Sequence, residues 1–164
     1  MSFRKRAGAI IVLMVGMLMA LPVFATETDP VAAFPHRYAA FDIKVAWNAV
    51  QSGDTLIVSG LIKNVRYAQI EDIDVTVWLL DKGGKVSAVG GALPIPIALK
   101  SYDYEPFTAR LKSAEHRPGS TLQFTIRYRV NEGDDDNFSW MTSFAADAAS
   151  GALLNQQPPS TNSW

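Results

Sequence analysis

The sequence predicts an all-β fold built from two antiparallel sheets packed face to face. Three observations predict it. Apolar and polar residues alternate in segment after segment between Phe41 and Phe144, which places one set on each face of a strand. Turns rich in Gly, Asp and Asn separate those segments at near-regular spacing. No stretch in that range repeats its apolar residues at helical period.

The elements follow in chain order. Residues 41–47 form a first strand, with Phe41, Ile43, Val45 and Trp47 on one face and Asp42, Lys44 and Ala46 on the other. Gln51-Ser52-Gly53-Asp54 turns the chain into a second strand at 55–65, which carries Leu56, Ile57, Val58, Leu61 and Ile62. Gly60 interrupts it and marks a bulge or a close approach. The third strand, 73–79, sets Ile73, Val75, Val77 and Leu79 against Asp74, Thr76 and Trp78. Asp81-Lys82-Gly83-Gly84 leads to a shorter fourth at 85–89, and 107–111 is the fifth. The most regular is the sixth, 121–130, where Leu122, Phe124, Ile126, Tyr128 and Val130 alternate with Gln123, Thr125, Arg127 and Arg129. Past an acidic turn, 138–144 closes the set with Phe138, Trp140 and Phe144 on one face. About seven short strands so spaced specify an immunoglobulin-like antiparallel β-sandwich, here over residues 38–146.

The ends read differently. Residues 1–25 have the layout of a secretory signal peptide: Arg4, Lys5 and Arg6, an apolar run from Ala7 to Phe24, then Val23 and Ala25 as the small-residue cleavage pattern. The competing reading is an uncleaved anchor, since a run of about 18 apolar residues is the lower edge of a membrane span. Pro22 and the polar residues after Ala25 favour cleavage, which leaves no membrane span in the mature chain. Residues 26–37 read as a loose, Pro-containing arm, and 147–164 as a disordered or partly helical tail; the Ala-rich 145–152, overlapping its start, is the expected short helix and 155–164 the disordered part. The expected destination is periplasmic or secreted.

Composition narrows the function. There is no cysteine, which excludes disulfides and thiolate chemistry, so an exported domain of this kind must be stable through its core alone. Without residues 1–25 the chain holds 12 basic and 16 acidic residues. That mild acidity argues against nucleic acid as a partner.

A resemblance appears at 59–64 and 75–86. Ser59-Gly60-Leu61-Ile62-Lys63-Asn64, followed by Val75-Thr76-Val77-Trp78-Leu79-Leu80-Asp81-Lys82-Gly83-Gly84-Lys85-Val86, resembles the FxLYD-type exported bacterial domains. The match extends over 56–111 and includes Glu105-Pro106-Phe107; Val77 and Leu80 stand at the positions that name the family. The resemblance implies an Ig-like sandwich with no catalytic residues. Physically, the motif fixes a hairpin: Asp81 accepts backbone N–H bonds, a glycine supplies the left-handed position, and Asn64 closes the other strand end.

The search for chemistry gives no catalytic residue and no cofactor. His36 and His116 are the only histidines, neither beside a nucleophile, and the chain is expected not to be an enzyme. Glu132, Asp134, Asp135 and Asp136 form the sharpest local charge; Asp134 and Asp136 are the candidate calcium ligands, set against a solvated hairpin tip. Trp78 lies on the face opposite the core set and is a platform, an interface residue or a residue covered by 93–99. Pro94, Ile95, Pro96 and Ile97 make an apolar stretch that belongs at a sheet edge or crossing, or serves as a docking strip. The expected function is therefore binding: another envelope or secreted protein is the partner, through a sheet edge or an apolar strip. The alternative is a carbohydrate-binding module using Trp78, Tyr102 or Tyr104.

Overall fold

The computed structural model describes residues 29–95, 98–114, 117–133 and 137–154. The leader 1–25, Pro96, Ile97, His116, Asp134, Asp136 and residues 155–164 lie outside the described residues.

The described chain is an all-β sandwich. Its strands are β1 (His36–Ala39), β2 (Ile43–Ser52), β3 (Thr55–Asn64), β4 (Gln69–Leu80), β5 (Val86–Ile95), β6 (Tyr104–Leu111), β7 (Thr121–Asn131), β8 (Asn137–Asp147) and β9 (Leu153–Leu154). One sheet has the order β1-β2-β3-β6 and the other β5-β4-β7-β8-β9, with every pairing antiparallel. The orders β2-β3-β6 and β5-β4-β7-β8 reproduce the A-B-E and C′-C-F-G strands of an immunoglobulin-like sandwich. The seven expected strands are β2 to β8; β1 and β9 are short additions at the sheet margins.

Period-two burial builds the core. In β7, Leu122, Phe124, Ile126, Tyr128 and Val130 are all buried, as are Ile73, Val75, Val77 and Leu79 of β4. Facing them are Ile43, Val45 and Trp47 of β2, and Leu56, Val58 and Ile62 of β3. The centre is aromatic: Phe144 stacks on Phe124 at 4.5 Å and on Tyr38 at 4.0 Å, and Trp47 tilts against both phenylalanines. Each large side chain so buried stabilises by about 1.5–3 kcal/mol, which is how a chain without disulfides holds two layers together.

The predicted hairpin closes as its residues require. Asp81 Oδ1 accepts the N–H groups of Gly83 and Lys85, each at 2.9 Å, and Gly84 takes the left-handed φ of 80°. Asn64 closes the other end. Its Nδ2 donates to the Ala68 and Leu99 carbonyls at 2.8 and 2.9 Å, and its Oδ1 accepts the Arg66 N–H at 2.8 Å.

Four local expectations change. Phe41 does not share the core face of β2: the strand starts at Ile43, and Phe41 is 85% exposed while Asp42 is buried. Residues 145–152 are not helical. Ala145 and Ala146 pair with Gln123 and Leu122, and the Asp147 carboxylate then accepts the Ala149 and Ser150 N–H groups to form a turn into β9. Residues 29–34, read as part of a loose arm, hold a 3-10 turn (Pro30–Ala33) capped by Asp29, which buries Val31 against Ala46 and Leu61 on the outer face of the first sheet. Phe138 and Trp140 keep the phase of the core face but remain exposed.

Candidate functional site

The apical end of the sandwich gathers the β3–β4 connection, the corner before β2, and the start of β8. Asn64 fixes the first of these, and Ser101 Oγ donates to the Arg66 carbonyl, so Arg66 springs from an anchored backbone. Its guanidinium reaches both carboxylates nearby: Nη1 lies 2.9 Å from Asp42 Oδ1, and Nη2 lies 2.6 Å from Glu132 Oε1. The Tyr128 hydroxyl donates to the second Asp42 oxygen at 2.8 Å. The buried Asp42 carboxylate thus has a partner on each oxygen, as a buried charge requires.

Electrostatics follow from this geometry. Burial works against the Arg66 charge, but Asp42 and Glu132 more than offset it and hold the guanidinium above its ordinary value. Burial, with the hydrogen bond to Asp42, pushes the Tyr128 phenol well above its usual range. Arg66 is a permanent, immobilised cation.

Three aromatic rings surround that cation. The guanidinium carbon is 5.6 Å from the Phe41 ring centroid, 5.9 Å from Tyr67 and 6.0 Å from Trp140. Phe41 is 85% exposed, Tyr67 77% and Trp140 45%. Tyr102 is also exposed, held at a left-handed φ of 64° where its N–H donates to the Asn64 carbonyl. Cation–π contacts at such distances favour these ring positions by about 0.5–1 kcal/mol each. The arrangement gathers exposed rings about a neutralised charge.

Of the sequence-derived candidates, Tyr102 lies at this end and the other described ones sit elsewhere. Trp78 is half-buried on the outer face of the second sheet, cross-strand from Val89 and Gln123, five residues along β7 from the Tyr128–Trp140 pair. Pro94 and Ile95 end β5, at the margin of the second sheet, and a register shift falls between the Ile73–Ile95 and Val75–Ala92 pairs. The chain then bridges Leu99 to Ile70 on its way to β6. Tyr104 is partly buried and packs with Val31 and Leu61, with the Lys63 ammonium 4.9 Å from its ring centroid. The described histidine, His36, lies against Trp47, with ring centroids 5.6 Å apart. Among the described residues, no group of three or more His, Asp and Glu is placed to hold a metal ion, and no helix is long and apolar enough to cross a membrane.

Phe41, Arg66 and Tyr67 are not singled out as site residues by the sequence, and Trp140 reads there only as in phase with the core face. The available signal was local: an Arg-Tyr pair two residues past a strand-closing Asn, and a Phe-Asp pair at a strand start.

No protein-family model matches the chain, and no curated protein matches it. Among solved structures, it is similar to the GAE domain of yeast GGA1, at 16% identity over 66% of this chain and 96% of that one, with a TM-score of 0.41. The GAE domain of GGA2p from Saccharomyces cerevisiae gives 11% identity, 67% and 96% coverage, and a TM-score of 0.46. A calcium-binding mutant of Bacteroides uniformis beta-glucuronidase 2 gives 14% identity over 63% of this chain and 13% of that one, with a TM-score of 0.37.

Proposed function

We propose that this protein is an exported, non-catalytic β-sandwich domain that binds another envelope or secreted protein through its aromatic apex. The observation that carries the reading is the set of exposed rings, Phe41, Tyr67 and Trp140, gathered around Arg66. Tyr, Trp and Arg are the side chains that dominate binding energy at protein interfaces. The anchoring of Arg66 by Asn64, Asp42 and Glu132 lowers the ordering cost of association for that side chain. The groups gathered are rings and mutually neutralised charges, which supports recognition rather than reaction. The leader at 1–25 and the resemblance to FxLYD-type domains support export to the periplasm or beyond.

The test is a pull-down from envelope extract with wild-type protein and with Tyr67→Ala. Recovery of one protein by the wild type and its loss in the variant supports the reading; equal recovery by both removes the apex from the function. The carbohydrate-binding alternative draws on the exposed Tyr102 at the same end and on Trp78. Tryptophan fluorescence titrated with glycans separates the two, since saturable quenching abolished by Trp78→Ala or Tyr102→Ala favours sugar.

A further inference from the structure

Tyr102 stands where the backbone favours glycine. Lys100-Ser101-Tyr102-Asp103 is a turn, in which the Asp103 N–H donates to the Lys100 carbonyl at 3.2 Å. Of its residues only Tyr102 has a positive φ, at 64°. That is the type II pattern, whose third position favours Gly or Asn. A tyrosine there crowds its Cβ against the carbonyl oxygen that follows. Among the described residues, the other non-glycine residues at positive φ are Asp72 and Ser113. Both are short and polar, and Asp72 is bound by Arg129 at 2.6 Å.

The surrounding hydrogen bonds hold the turn in that shape. The Tyr102 N–H donates to the Asn64 carbonyl at 2.9 Å, and the Asn64 N–H donates to the Asp103 carbonyl at 3.1 Å. Asn64 Nδ2 donates to the Leu99 carbonyl at 2.9 Å, and Ser101 Oγ donates to the Arg66 carbonyl. These bonds lace the β5–β6 connection to the β3–β4 connection, which carries Arg66 and Tyr67. None of them uses the tyrosine side chain. Packing does not explain the phenol either. Tyr102 is 65% exposed, and among the described residues its side chain has no hydrogen bond, ion pair or ring contact. Folding alone therefore favours Gly or Asn at this position. Backbone strain held in place by its surroundings gathers at sites of recognition.

We propose that Tyr102 is a contact residue of the apical surface, and that one partner protein engages Tyr67 and Tyr102 together. The inference rests on the reading of the apex as a protein-binding surface and deepens it. It extends that surface from the Arg66 cluster onto the β5–β6 connection. The chemistry suits a polypeptide. A tyrosine offers a large ring with few rotatable bonds to order, and a hydroxyl that can donate to a main-chain carbonyl or accept from an N–H. The bonds to Asn64 fix where that ring begins, so its backbone needs no ordering on contact.

The experiment compares wild type, Tyr102→Asn and Tyr67→Ala. Urea unfolding comes first, then titration with peptides selected on the wild type from a displayed library of short random peptides. Tyr102→Asn is expected to keep or raise the urea midpoint, because Asn accepts the left-handed φ, and to weaken the selected peptides about tenfold or more. Tyr67→Ala is expected to weaken the same peptides. A lower midpoint for Tyr102→Asn overturns the proposal, since the ring then serves the fold. Peptides that depend on Tyr67 but bind Tyr102→Asn as they bind the wild type also overturn it, and they leave the apical reading standing. Peptides that depend on Tyr102 alone overturn the shared occupant. Peptides indifferent to both substitutions overturn the proposal and the apical reading together. Failure to select any peptide overturns the proposal too, and a glycan response abolished by Tyr102→Asn then assigns the ring to sugar.

Discussion

The Tyr128 hydroxyl donates to Asp42 Oδ2 at 2.8 Å and so ties a strand of one sheet to the corner that opens the other. The same carboxylate receives Arg66, which makes Asp42 the joint between the core and the apical surface. Replacing it should therefore damage both. Asp42→Ala leaves the Tyr128 hydroxyl and a largely buried guanidinium without their shared partner. The expected loss is about 2–4 kcal/mol, read as a lower urea midpoint with an unchanged slope. Asp42→Asn keeps one acceptor and should cost less.

Alkali should probe the same joint. The Tyr128 pKa in the folded protein stands above its ordinary 10.0, through burial first and the Asp42 bond second. The native state then keeps a proton that the unfolded chain gives up. Stability is complete below about pH 10 and falls as pH rises beyond it, by about 1.4 kcal/mol per pH unit for this one group. Tyr128→Phe should start from lower stability at pH 7 and show a shallower decline above pH 10. An equal decline in both proteins would assign the alkaline loss to other groups.

Acid acts on the opposite flank. Burial against Trp47 lowers the His36 pKa from its ordinary 6.5. The neutral ring is the folded form, so its contribution is present above pH 6.5 and is lost as pH falls through the lowered value. Acidification from pH 7 to 5 should loosen β1 first. Protection factors of the β1 amides, compared with His36→Phe, measure it: those of the wild type should fall with acid and those of the variant should not.

How far the sequence could be read follows from where each burial partner lies. Strand β7 was legible because its pattern is local: alternate residues face a core whatever that core contains. Asp42 was not. Its burial depends on Arg66 and Tyr128, which arrive from 24 and 86 residues away, and without them an aspartate next to a strand reads as solvated. Phe41 went wrong with it, since alternation was carried two residues past the strand's true start. Trp140 was placed on the correct face. Its exposure depends on the opposite sheet, whose last cover on this side is Tyr38, bonded to Thr142 at 3.1 Å. Trp140 lies one step beyond that cover, where only the Arg66 cluster reaches. The aromatic apex was therefore invisible as a unit, because its rings come from three separate parts of the chain. Asn64 and Asp81 were legible because each acts on backbone within a few residues of itself.

Gly60 offers a sharp test of packing. A Cβ there would lie 2.2 Å from the Ala46 carbonyl oxygen and 2.7 Å from the Phe107 ring. Neither the β2 backbone nor a buried ring has room to retreat, and an overpacked core loses about 1–3 kcal/mol or more. Gly60→Ala should lower the melting temperature clearly, and Phe107→Leu, which clears the ring but not the Ala46 oxygen, should recover little of it. A melting temperature unchanged by Gly60→Ala would mean that the strands can separate to admit a methyl group.

Asn64→Asp separates shape from hydrogen bonding. The side chain keeps its size but loses both donors, leaving the Ala68 and Leu99 carbonyls facing a carboxylate. The expected cost is about 2–4 kcal/mol, and it should fall hardest on the β3–β4 and β5–β6 connections. Those connections carry Tyr67 and Tyr102, so exchange there should quicken before the β7 core responds.

Trp140 and Phe144 share one face of one strand, yet they should separate stability from recognition. Phe144 is buried between Phe124 and Tyr38, and Phe144→Ala should cost about 3–5 kcal/mol by opening a cavity among rings that cannot collapse into it. Trp140 is nearly half exposed and rests on the Arg66 guanidinium rather than on the core. Trp140→Ala should cost under about 1 kcal/mol while abolishing recovery of the envelope partner. The pair is informative because each substitution removes an aromatic ring, the larger one at Trp140, four residues apart on the same face. If Trp140→Ala unfolds the domain as Phe144→Ala does, the exposed ring is part of the core and the apex loses its standing as a binding surface.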